Sequence, residues 1–140
     1  MNEQRLLAID FGKKRIGIAV TDPLNIFAYP LVTISNDTKF WDNLLKIISE
    51  YHVVKLIIGY PLKENGDESL SSKEVLKFRE ELEKKSNLPI ELMDERYSSE
   101  IARQRIIKTI PSKKKRRDKT LLDKNAAAVI LEDYLNIMKK

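Results

Sequence analysis

Acidic residues lie at three points of the sequence that secondary-structure propensity does not explain. Asp10 ends the apolar segment "LLAID", Asp94 and Glu95 end "IELMDE", and Asp123 precedes an alanine-rich segment. Carboxylates brought close together repel one another, and a divalent cation relieves that repulsion. Such oxygen ligands suit Mg²⁺ or Mn²⁺, and two such ions can activate a water and stabilise the leaving oxygen of a phosphodiester. The acids therefore indicate metal-dependent phosphodiester hydrolysis.

Each acid also has a plain structural alternative. Asp123 suits a helix N-cap or first turn, Asp94 and Glu95 suit a strand end paired with the following arginine, and Asp10 suits turn chemistry. The metal interpretation needs the first and last strands to be neighbours at the sheet edge where ligands bind, with a helix crossing that edge. Because side chains alternate along a strand, only one of the adjacent pair faces the site.

Basic residues are concentrated rather than spread along the chain. Between Arg103 and Lys119 lie nine Lys or Arg and one acid, a local charge of +8, so the other 123 residues carry −3 of the total +5. A focused patch attracts polyanions, although a charge run is also typical of a merely solvated surface. The predicted nucleic-acid contacts are Lys13, Lys14, Arg15, Arg96, Lys113, Lys114, Lys115, Arg116 and Arg117. Such contacts read the phosphate backbone, so binding should fall steeply with salt.

The elements that must position these residues alternate between strand and helix. Apolar and β-branched segments predict strands over "RLLAID", "RIGIAVT", "IFAYPLVTI", "VVKLIIGYP" and "LPIELMDE". Helical spacing predicts a helix after a cap at Asn36 or Asp37, and three more over "SSKEVLKFREELEKK", "SSEIARQRIIKTI" and "DKNAAAVILEDYLNIM". Three strands followed by alternating helices and strands predict an α/β fold with a mixed sheet and helices on its faces. We expect residues 1–140 to form one domain.

Several function classes lack support in the sequence. There is no cysteine, no histidine pair and no Gly-x-Ser-x-Gly motif, so zinc chemistry and serine hydrolysis are not indicated. No apolar run reaches the ~18–20 residues of a membrane span, and "MNEQR" lacks the layout of a signal peptide. We therefore expect a cytosolic protein.

Four blocks, in order and spacing, resemble the signature blocks of the YqgF family. They are "LLAIDFGKKRIGIAVTD", "IIGYPLKENGDES", "ELMDERYSSEIA" and "KKKRRDKTLLDKNAAAVILEDYL". This family comprises bacterial proteins similar to Holliday junction resolvases and named as nucleases of precursor 16S ribosomal RNA. The resemblance implies a ribonuclease H-like fold with a mixed five-stranded sheet flanked by helices. It also implies nuclease chemistry with acidic residues and Mg²⁺ or Mn²⁺.

Position by position, the resemblance implies Asp10, Glu95 and Asp123 as catalytic metal ligands, with Asp94 the alternative to Glu95. Arg96 would orient Glu95 or contact a phosphate. The leading hypothesis is a metal-dependent nuclease of structured RNA, acting on precursor 16S ribosomal RNA, with a precursor ribosomal particle as a partner. The alternatives are a resolvase of branched DNA and a non-catalytic nucleic-acid-binding factor in ribosome maturation. An actin-like ATPase would need two such domains, and 140 residues supply one.

Overall fold

The computed structural model describes residues 4–63, 65–94 and 119–138. These residues form five strands and three helices: β1 (Arg5–Asp10), β2 (Arg15–Thr21), β3 (Ala28–Ser35), α1 (Phe40–Glu50), β4 (Val53–Tyr60), α2 (Leu70–Ser86), β5 (Ile90–Asp94) and α3 (Lys119–Met138). The helix predicted over "SSEIARQRIIKTI" and the basic run after it lie outside the described residues. Among the helices of the described ranges, none is long and apolar enough to cross a membrane.

The five strands form one mixed sheet in the order β3-β2-β1-β4-β5. β2 is antiparallel to both β1 and β3, whereas β4 is parallel to β1 and to β5. β1, β4 and β5 therefore end at the same side of the sheet, which we call the carboxyl edge, and the opposite side is the amino edge. The mixed sheet is confirmed, but β1 and β5 are not neighbours. β4 separates them, which sets the two strands about 10 Å apart.

Helices cover both faces of the sheet because successive strand residues point to opposite sides. On one face, Leu7 and Ile9 of β1 belong to a cluster with residues of α1 and α2, among them Phe40 and Phe78. On the other face, the small side chains of Ala8 and of its partner Ala19 on β2 let α3 pack closely against the sheet. The residues that α3 contributes to this cluster are Ala127, Ala128, Val129, Ile130, Leu131 and Tyr134. We call these the α1/α2 face and the α3 face.

Two predicted helix starts differ from the structure. α1 has Lys39 at its cap position without a side-chain cap bond, and the carboxylate of Asp37 accepts the backbone N–H of Lys39 instead, at 2.9 Å. α3 begins at Lys119, four residues before Asp123. Asp123 lies more than a turn inside the helix, so its interpretation as a cap or first-turn acid was wrong.

Candidate active site

Asp10 lies at the carboxyl edge of the sheet, at the last position of β1. It pairs with Gly17 of β2, and it is half-buried. Strand alternation puts Asp10 on the side of Ala8, which packs in the α3 cluster, and not on the side of Leu7 and Ile9. This carboxylate thus belongs to the α3 face, at the edge where β1, β4 and β5 end.

Asp94 ends β5 at the same edge but belongs to the opposite face. It pairs with Tyr60 of β4, and its strand alternation groups it with Ile90 and Leu92, which pack against the α1/α2 cluster. Met93 instead packs against the α3 cluster. Asp94 therefore does not share a face with Asp10. Glu95 lies outside the described residues.

For Asp123 the structure gives the backbone position on α3, four residues before Ala127. Residues four apart lie on the same side of a helix, and Ala127 packs in the cluster that contains Ala8 of β1. Among the residues that the structure describes, no three His, Cys, Asp or Glu side chains lie together as a metal site would require. The ligand set of Asp10, Glu95 and Asp123 thus stays a prediction.

The turn between β1 and β2 presents basic side chains directly after Asp10. Lys13 and Lys14 are exposed, and Arg15 begins β2. Gly12 is required there, since a Cβ atom at this position would lie 2.3 Å from the backbone oxygen of Arg15. Asn36, just after β3, holds the turn from the side: its amide donates to the Gly12 oxygen (3.0 Å) and its backbone N–H to the Lys14 oxygen (2.9 Å). The remaining predicted contacts, Arg96 and 113–117, fall outside the described residues.

An ion pair that sequence reasoning missed anchors α3 to the sheet. The ammonium of Lys55 on β4 lies 2.8 Å from the Glu91 carboxylate on β5, and both contact the hydroxyl of Tyr134, at 2.6 and 2.8 Å. The hydrogen bonds to Glu91 and Tyr134 raise the pKa of Lys55, and the bond from Lys55, with that from Tyr134, lowers the pKa of Glu91. Both groups are therefore charged at neutral pH. Sequence spacing gave no sign of this contact, since Tyr134 is 79 residues from Lys55 in the chain.

Comparison with known proteins first defines the structural class. The chain matches a Thermus thermophilus RuvC structure with a TM-score of 0.60 at 11% identity, over 96% of this chain and 97% of that one. A T. thermophilus RuvC in complex with a Holliday junction substrate gives a TM-score of 0.56 at 10% identity, covering 97% and 96%. The fold is therefore ribonuclease H-like, as the resemblance implied.

Sequence comparison then defines the family. Residues 4–137 match the family model of RuvX, described as Holliday junction resolvase, and the chain belongs to this family. A relative from Phocaeicola vulgatus, named "Putative pre-16S rRNA nuclease", is 39% identical over 136 residues, which is 96% of this chain and 97% of the relative. The recognition from the four sequence blocks and the nuclease class that it implied are confirmed.

Proposed function

We propose that this protein is a metal-dependent nuclease that hydrolyses phosphodiester bonds of structured RNA, with precursor 16S ribosomal RNA as its substrate. One observation carries the proposal: the half-buried carboxylate of Asp10 stands at the carboxyl edge of a ribonuclease H-like sheet, next to a turn that exposes Lys13 and Lys14. The carboxylate supplies a ligand for a hard cation, and the lysines attract a phosphate backbone. The relatives' name supports the choice of RNA.

The backbone supports convergence of the three acids. Ala8 and Ala127 belong to one cluster. Asp10 is two strand residues beyond Ala8, about 6.6 Å, and Asp123 is four helical residues before Ala127, about 6 Å. Tyr134, near the end of α3, contacts Lys55, which pairs with Leu6 near the start of β1, so α3 runs antiparallel to β1 and both steps lead toward the carboxyl edge. Continuing the alternation of β5 by one residue favours Glu95 over Asp94 as the third ligand.

This donor set fits Mg²⁺ or Mn²⁺ better than a softer metal. Asp10, Glu95 and Asp123 offer only carboxylate oxygens, which hard cations prefer, and few enough of them to leave room for water and phosphate. The ion supplies activation of the attacking water and stabilisation of the leaving oxygen. Asp10, Glu95 and Asp123 would hold the ion, and Arg96 would orient Glu95 or contact a phosphate.

The basic residues hold the substrate without reading its sequence. Lys13, Lys14 and Arg15, with 113–117, contact backbone phosphates, so selection of the substrate comes from its shape. We infer a precursor ribosomal particle as the partner and the cytoplasm as the place of action. Cleavage of a four-way DNA junction is the second candidate, favoured by the family description.

Parallel cleavage assays test the proposal. A precursor 16S ribosomal RNA fragment and a four-way DNA junction are incubated with the protein in Mg²⁺, in Mn²⁺ and in EDTA. We expect cleavage of the RNA in either metal and none in EDTA. Cleavage of the junction alone would replace the RNA proposal with the resolvase. Tight, EDTA-resistant binding of the RNA with no cleavage under any condition would identify a non-catalytic maturation factor.

The adjacent acids provide a matched pair of variants. We expect Glu95→Gln to abolish metal-dependent cleavage and Asp94→Asn to retain it, because continuing the alternation of β5 by one residue favours the α3 side for position 95. The reverse result would assign the metal to the α1/α2 face and overturn the site proposed above.

A further inference from the structure

A groove opens beside the candidate site, on the opposite face of the sheet. It has a volume of about 360 Å³ and lies between the start of α1, the middle of α2 and the turn that follows β1. Phe11, Trp41 and Phe78 provide its aromatic lining, and the rim carries Lys13 and Glu74 among other polar residues. Phe11 directly follows Asp10 in the sequence, so the groove begins one residue from the proposed catalytic carboxylate.

The aromatic rings of the groove contact one another, and one pair of them is stacked. The rings of Trp41 and Phe78 are nearly parallel, at 18°, with centroids 5.3 Å apart, and the Phe11 ring lies 4.8 Å from that of Phe78. Phe78 is buried, whereas Trp41 and Phe11 are only partly so. The chain thus builds a continuous aromatic surface up to the carboxyl edge, of the kind on which unpaired bases stack.

The side chain that covers the Trp41 ring is held weakly, so a ligand can replace it. The ammonium of Lys85 lies 5.4 Å from the centroid of the Trp41 ring, and Lys85 is exposed. Phe78 stacks on the same ring. An exposed cation–π contact is weaker than the stacking of a base on an aromatic ring. A base would therefore displace Lys85, whose ammonium then becomes available to a phosphate of the same strand.

The charges at the rim suit a neutral base flanked by phosphates. Lys13 pairs with Glu74 at 3.2 Å, and the Lys13 side chain is 71% exposed, so this ion pair is weak and can open. Glu74 and Glu81 can accept hydrogen bonds from the amino groups of a base, and the Asn36 amide can both donate and accept. Lys13 and Lys77 balance these two carboxylates, so the lining has no net formal charge and suits a neutral base better than a bare phosphate or an acidic peptide.

We infer that this groove binds an unpaired nucleobase of the substrate strand, stacked on Trp41, next to the phosphate that Asp10 helps to cleave. The inference rests on the proposed function for the identity of the strand. It adds a requirement that backbone contacts alone do not impose, namely a single-stranded nucleotide beside the cleavage position. Fully paired RNA would then bind only through its phosphates.

Trp41 is the only tryptophan in the chain, so its fluorescence reports on the groove itself. The probes are an RNA hairpin with a five-nucleotide single-stranded tail and the same hairpin with a blunt end. Both are titrated into the wild-type protein in EDTA, and binding is followed independently by fluorescence polarisation of labelled RNA. We expect the tailed hairpin to quench Trp41 and the blunt hairpin to bind without quenching. Equal quenching by both, or none by either at saturation, would overturn the inference.

A matched pair of variants adds a second readout. We expect Trp41→Leu to weaken binding of the tailed hairpin roughly tenfold and to leave the blunt hairpin unaffected. Phe27→Leu, which changes an aromatic residue 59% exposed at the amino edge, should alter neither. Quenching without metal-dependent cleavage would support base binding in the groove and refute the nuclease proposal. Cleavage without tail-dependent quenching would support the nuclease proposal and refute base binding in the groove.

Discussion

The two edges of the sheet each carry an aspartate at or directly after the end of a largely apolar strand, and the two carboxylates have different surroundings. At the amino edge, the Asp22 carboxylate accepts the backbone N–H groups of Leu24 (3.1 Å), Ile26 (2.7 Å) and Phe27 (2.7 Å). It folds the loop between β2 and β3. Asp10, at the carboxyl edge, stands where three parallel strands end, beside a basic turn. An acid at a strand end therefore indicates chemistry only when the topology gathers other strand ends around it.

The residues that surround the two aspartates also differ in polarity. Near Asp22, the Asn25 amide donates to the Gln4 oxygen at 2.8 Å, and the ordered loop holds Leu24 and Phe27 in solvent, 75% and 59% exposed. Near Asp10, the exposed side chains are lysines. The amino edge is thus apolar and locally hydrogen-bonded, and the carboxyl edge is polar and positively charged. Four predictions, in order of decreasing expected effect, test this contrast by substitution.

Asp10→Asn should separate activity from stability most sharply. Removing one metal-binding charge costs several kcal/mol of transition-state stabilisation, so we expect cleavage to fall roughly 10³-fold while the thermal midpoint changes little. Asp22→Asn should show the opposite pattern, with a lower midpoint and normal activity per folded molecule. Cleavage rates and thermal melts of both proteins measure this. Loss of activity in Asp22→Asn at full folding would remove the contrast.

Gly12→Ala should damage the carboxyl edge through the backbone. The added Cβ would collide with the Arg15 carbonyl, which cannot move without shifting the turn, so we expect a loss of about 1–3 kcal/mol in the free energy of unfolding. RNA binding should weaken as well, because Lys13 and Lys14 move with the turn. Denaturant unfolding and polarisation measure the two effects. Asn36→Ala, which removes only the side-chain bond to the Gly12 oxygen, should be milder.

Asp22→Ala should lower the free energy of unfolding by about 1–2 kcal/mol, since a charged acceptor of three partly exposed N–H groups is lost. Partial desolvation acts to raise the pKa of Asp22, but the backbone N–H donors outweigh it, and the net pKa is lowered. The contribution is therefore complete at neutral pH and is lost as pH falls through the lowered pKa, below about pH 4. Unfolding of both proteins at pH 7 and pH 3 should show a smaller difference in the free energy of unfolding at pH 3.

Tyr134→Phe should have the smallest effect, about 1 kcal/mol, because the ring stays buried and only the hydroxyl contacts to Lys55 and Glu91 are lost. The pKa of Glu91 is lowered and that of Lys55 is raised. The ionic part of this cluster should therefore weaken both below about pH 4 and above about pH 10. Denaturant unfolding of wild type and variant across this range measures it. A large loss of RNA cleavage would show that the anchor also controls the position of Asp123.

Part of the fold follows from local sequence patterns. The predicted segments "RLLAID" and "RIGIAVT" coincide with β1 and β2, because apolar and β-branched runs bounded by turn residues are a local signal. The predicted third strand began two residues early, at Ile26, where the hydrogen bonds of Asp22 hold the chain in a loop. The start of α3 at Lys119 was missed because Asp123 was read as the first-turn acid of the helix, although Leu121 and Leu122 directly precede it.

The sequence by itself determined the mixed sheet and the family, since these depend on local periodicity and on ordered blocks of residues. Asp10, Glu95 and Asp123 as the metal ligands stay a prediction. Only the tertiary structure decided that β4 separates β1 from β5, that Asp94 belongs to the face opposite Asp10, and that Trp41 stacks on Phe78 beside the carboxyl edge. Parallel strand pairing and packing between distant helices join residues far apart in the chain, and no local pattern encodes which partners meet.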